Sequence, residues 1–63
     1  MGGYCKERFR CRKIVEKRIK EGIPIEVMAK GRDFVVAYGR TISYGVKLQA
    51  RVMCQERGID WRK

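Results

Sequence analysis

Histidine and asparagine are absent from this chain, and serine and threonine occur once each, as Ser43 and Thr41. A Ser-His-Asp or Cys-His catalytic arrangement within its 63 residues is therefore excluded by inventory. Paired-carboxylate chemistry would have to use Glu26, Asp33, Glu56 or Asp60, and the sequence places none of them in an apolar stretch that would raise a carboxyl pKa. The glycines, at 2, 3, 31, 39 and 45 among others, fit neither the phosphate-cradling loop nor the dinucleotide fingerprint. These gaps point away from an enzyme and imply no cofactor.

Long apolar runs are also missing. The longest, Phe34–Tyr38, is five residues, far from the roughly 20 needed to span a bilayer, and no secretory signal is legible. Three cysteines, Cys5, Cys11 and Cys54, are an odd number at no disulfide-framework spacing. Free thiols in a reducing, cytoplasmic setting are the expectation. Metal binding is not expected either, because Cys5 and Cys11 stand six apart and Cys54 is remote, unlike the close pairs of structural zinc sites. The cysteines read as small buried hydrophobes.

What the chain does have is positive charge. Sixteen Lys and Arg against seven Asp and Glu leave a formal +9. Residues 1–21 hold eight basic and three acidic groups, a net of +5, so the remainder carries +4 and no detachable basic tail exists. A balance of this kind favours polyanionic partners. The length implies one small domain over residues 1–63, with a core that is marginal unless a partner adds to it.

Tyr4–Glu21 has the pattern of an amphipathic helix. At about 100° per residue, Lys6, Arg10, Lys13, Lys17 and Lys20 fall within an arc of roughly 80°, with Cys5, Phe9, Val15 and Ile19 on the opposite side. Gly22 and Pro24 supply the stop. Arg8 and Arg12 project toward the apolar side and need either to snorkel or to meet an acid.

The middle of the chain reads as strands. Ile23, Ile25, Val27 and Ala29 alternate with Pro24, Glu26 and Met28, and Phe34, Val36 and Tyr38 share one face of the next run. A type II′ loop at Gly31-Arg32 would bring these apolar sets together, predicting a hairpin with a short third strand allowed over residues 39–43. Ser43 is a candidate N-cap for a second helix over Tyr44–Arg57, closed by Gly58, with Trp61 folding back onto the body. Strict alternation at Val46, Leu48, Ala50, Val52 and Cys54 also admits a strand there, though the good helix formers around it favour helix. Read as a helix, it is apolar on two sides, Leu48 and Val52 on one and Val46, Ala50 and Met53 on the other. The expected fold class is α+β: helix, antiparallel hairpin, helix.

Two functions follow as expectations. The first is nucleic-acid binding, DNA or RNA, through phosphate contacts from Lys6, Arg10, Lys13, Lys17 and Lys20, joined by Lys30 and Arg32 at the hairpin tip and extended by Arg40, Lys47 and Arg51. Aromatic stacking by Phe34, Tyr38 and Tyr44 competes with their use in the core. The second is a small inhibitor or adaptor, of the sort phages encode, that docks on an acidic face of a nucleic-acid-processing protein through the C-terminal helix. Val46, Ala50 and Met53 are the candidate partner or dimer interface, and a homodimer is expected. A membrane-surface role is the weakest, with one Phe, no Trp and two arginines among the apolar groups of the first helix.

Overall fold

Where the sequence suggests a hairpin, the chain makes two short helices. In the computed structural model, which describes residues 3–62 and the side chains from Arg8 to Arg62, the element order is α1 (Gly3–Lys20), α2 (Ile25–Lys30), α3 (Arg32–Tyr38) and α4 (Tyr44–Glu56). No strand occurs among the described residues, so the fold is all-helical and the α+β expectation is overturned. The reason lies in Ile25, Met28 and Ala29. Their i, i+3, i+4 spacing defines one helix face, and all three are buried. The alternating set Ile25, Val27, Ala29 shares two of these positions, so the strand period was satisfied by coincidence. Met28 decides between them: a strand would point it outward with Glu26, yet it is fully buried.

The second half of the expected hairpin fails the same test. Phe34 is fully buried while Val36, required on its face by a strand, is 79 % exposed. Phe34 and Tyr38 meet at i, i+4 with ring centroids 5.3 Å apart. A lone two-stranded ribbon is marginal in water, whereas the two short helices bury Met28 and Phe34 in the core. Gly31 separates α2 from α3 by one residue at φ 69°, and its N–H donates to Met28. The positive φ expected at this glycine is present, but it ends a helix instead of turning a hairpin.

The two long helices match their sequence signals closely. At the end of α1, Gly22 N–H donates to the Ile19 carbonyl and Ile23 N–H to that of Arg18, both at 3.0 Å. The end of α4 repeats this pair, Gly58 to Gln55 and Ile59 to Cys54. Both are Schellman closures built on a positive-φ glycine. At the start of α4, Ser43 Oγ accepts from the Val46 N–H at 3.2 Å.

The core sits where α4 crosses α1 and α2. Val15 of α1, Ile25, Met28 and Ala29 of α2, Phe34 of α3, and Val46, Ala50, Met53 and Cys54 of α4 form one buried cluster with Ile23. Trp61 returns to cover it, held under the Arg51 guanidinium, which lies 4.4 Å from the indole centroid and donates through Nε to the Ala29 carbonyl at 3.2 Å. Arg18 extends from α1 over the Phe34 ring at 5.2 Å. Truncating a fully buried ring such as Phe34 costs about 3–5 kcal/mol. That is comparable with the whole stability of a chain this long, about 3–9 kcal/mol at ordinary per-residue values.

Candidate nucleic-acid interface

The cationic row of α1 is positioned by the residue it opposes. Val15 is fully buried against the core. On a wheel centred on Val15, Arg10, Lys13, Lys17 and Lys20 lie about 140–220° away, on the outward side of the helix. All four are exposed, and among the described residues none forms an ion pair. Lys13 Nζ rests 4.8 Å from the centroid of Phe9. From Arg10 to Lys20 the row is about 15 Å long at 1.5 Å per residue. That length covers about four phosphates of one nucleic-acid strand at 3.4 Å each. Lys6 belongs to α1, and its side chain lies outside the described residues.

The remaining basic residues named from the sequence divide. Arg32 is exposed at the first position of α3. Lys30 is half-buried, and its Nζ lies 3.8 Å from Asp33 Oδ2 one turn away, so it sits at a helix junction and not at a hairpin tip. Arg40 Nη1 reaches Glu21 Oε1 at 3.9 Å beside the end of α1. Lys47 and Arg51 are structural: the Lys47 methylenes cover Gly31, and Arg51 holds Ala29 and Trp61. Phe34 is committed to the core and carries no base-stacking role.

The proposed interface at Val46, Ala50 and Met53 is corrected by burial. These residues are 4 %, 0 % and 1 % exposed within the monomer, taken up by α1 and α2. The other apolar side of α4 is the one left open. Tyr44, Leu48 and Val52, four residues apart, stand exposed along it. Phe9, expected on the inner side of α1, is 64 % exposed because it stands about 120° from Val15 on the helix. These four line a groove between the N-terminal half of α1 and α4, with Arg8, Arg10 and Arg12 along its α1 side. The signal for this groove is in the sequence, as Leu48 and Val52 on the second apolar side of α4.

Arg12 meets the acid its position demands. Nη2 donates to Glu56 Oε1 at 2.8 Å and Nη1 to Oε2 at 3.2 Å, a two-pronged contact joining α1 to the end of α4. Hydrogen bonding from Arg12 holds the Glu56 carboxyl below the usual glutamate range. Cys54 is fully buried, and loss of solvent pushes its thiol up, with a smaller push from the Glu26 charge. Cys11 and Cys54 are both free thiols, and among the described residues no three His, Cys, Asp or Glu side chains gather where they could hold an ion. No helix among the described residues is long and apolar enough to cross a membrane.

Comparison with protein-family models, with curated proteins and with solved structures returns no match to this chain. Its function is therefore argued from the residues themselves.

Proposed function

We propose that the chain is a small, non-enzymatic nucleic-acid-binding protein acting in a reducing intracellular compartment. It contacts the phosphate backbone through Arg10, Lys13, Lys17 and Lys20 on the outward side of α1, with Lys6 continuing the row by its sequence spacing and Arg32 adding a contact from α3. The observation that supports this reading is the exposed row itself, four cations opposite Val15 with no carboxylate engaged among the described residues. Lys30, paired with Asp33, is a weaker contributor. The formal +9 adds long-range attraction to any polyanion. Contacts of this type are to phosphates, so binding is weakly selective for sequence.

The test is a titration of labelled duplex and single-stranded oligonucleotides at two salt concentrations, with wild type and with Lys13→Glu/Lys17→Glu. Binding is expected to weaken steeply with salt and to be lost in the double reversal, while the circular dichroism spectrum is unchanged. Equal affinity of the reversed and native proteins would exclude α1 as the contact.

A further inference from the structure

The groove between α1 and α4 differs from the outward row of α1 in its apolar lining. Tyr44, Leu48 and Val52 form a row at i, i+4, i+8, about 12 Å long, and Phe9 faces them across the recess. Their exposures are 73 %, 38 %, 40 % and 64 %, an apolar lining on a chain that is otherwise strongly charged. Leu48 and Val52 offer a nucleic acid neither charge nor a stacking surface, although the Tyr44 and Phe9 rings beside them do present one. A recess between two helices, lined at helical spacing, matches the apolar ridge of a third helix.

Charge selects among helices. Arg8 and Arg10 stand along the groove, and the acid that also lines it, Glu56, has both oxygens occupied by Arg12. Among the described residues the rim is thus positive, its lining carboxylate being engaged by Arg12. A second copy of the chain would bring another +9 and its own Arg8 and Arg10 against this rim, which disfavours self-association. An occupant with an apolar stripe and acidic flanks is complementary in both respects.

We propose that this groove docks an acidic amphipathic helix of a partner protein, Tyr44, Leu48, Val52 and Phe9 taking the apolar stripe and Arg8 and Arg10 its carboxylates. This inference does not depend on the nucleic-acid reading, because among the described residues the groove and the outward row of α1 meet only at Arg10. Together they describe an adaptor that carries a protein to a polyanion.

The probe is a fluorescein-labelled 18-residue helical peptide with leucines at i, i+3, i+4, i+7 and glutamates elsewhere. It is measured by anisotropy against the full chain, beside a scrambled peptide of the same composition and a version with lysine for glutamate. The designed peptide is expected to bind at least tenfold more tightly than either control, with amide shifts in an NMR titration confined to the groove. Tyr44→Glu should weaken it tenfold or more. That residue is 73 % exposed at the first position of α4, where an acid suits the helix dipole, so the variant should fold. Leu48→Asp and Arg8→Glu are the second and third variants, each checked by circular dichroism. Equal binding of the scrambled peptide, or indifference to Tyr44→Glu and Leu48→Asp together, overturns the proposal. So does dimerisation of the free chain that Tyr44→Glu abolishes, or binding to anionic vesicles that Tyr44→Glu and Leu48→Asp abolish. Failure here leaves the oligonucleotide titration untouched, and loss of oligonucleotide binding in the Lys13/Lys17 variant leaves the peptide result untouched.

Discussion

A methyl group added to Gly45 would lie 2.7 Å from Cys11 Sγ. The first turn of α4 is therefore pressed onto α1 at a point where neither residue can grow. Gly45→Ala is expected to destabilise by about 1–2 kcal/mol, the cost of overpacking exceeding the gain in helix propensity. Cys11→Ala in the same chain removes the sulfur and should restore most of the loss, because the Cys11 Cβ is a comfortable 3.9 Å away. A double-mutant cycle by urea unfolding checks this: a coupling of about 1 kcal/mol is expected, and additive effects would show that the contact imposes no constraint.

The Arg12–Glu56 contact makes stability depend on pH in a definite direction. A carboxyl held low by its partner in the folded state stabilises the fold above its unfolded pKa, about 4.3 for Glu. That contribution fades as pH falls through the lower folded value. Wild type should therefore melt above Glu56→Gln at pH 7, and the two should converge once pH has fallen below the lowered folded value. Thermal melts across that range measure the gap; a difference that persists in strong acid would assign it to packing instead.

Gly31 carries two constraints at once. Its φ of 69° is unfavourable for any side chain, and a Cβ there would meet Lys47 Cδ at 2.9 Å. Gly31→Ala should cost about 1–3 kcal/mol. Adding Lys47→Ala should return only the steric part, leaving the backbone penalty, which chemical denaturation of the single and double variants will separate.

For the outward row of α1, neutralising the cations one at a time should flatten the salt dependence stepwise. Each of Arg10, Lys13, Lys17 and Lys20 changed to Gln is expected to reduce the slope of log affinity against log salt by about 0.9 on duplex DNA. With four contacts, raising salt from ~50 to ~200 mM should weaken the native protein by about a hundredfold. A slope unmoved by all four changes would place the contact elsewhere.

How much of this was readable in advance depended on length and punctuation. α1 and α4 lie within a residue or so of their expected ranges, since Gly22, Ser43 and Gly58 mark their ends by local backbone chemistry. α2 and α3, six and seven residues long, are too short for a period of 2 to be told from one of 3.6. There the choice fell to tertiary packing, through the burial of Met28 and Phe34. The charged row was legible because five cations at helical spacing define a face whatever the rest of the fold does. The groove was not, because α4 has two apolar sides and only the position of α1 and α2 decides which is consumed.

Val15 and the cationic row occupy opposite flanks of the same helix. Residues that secure folding and residues proposed to meet nucleic acid are thereby kept on separate ledges of one scaffold. Descendants of this chain could gain or shed surface cations, retuning grip and ionic-strength response, while the interior continues to assemble unchanged.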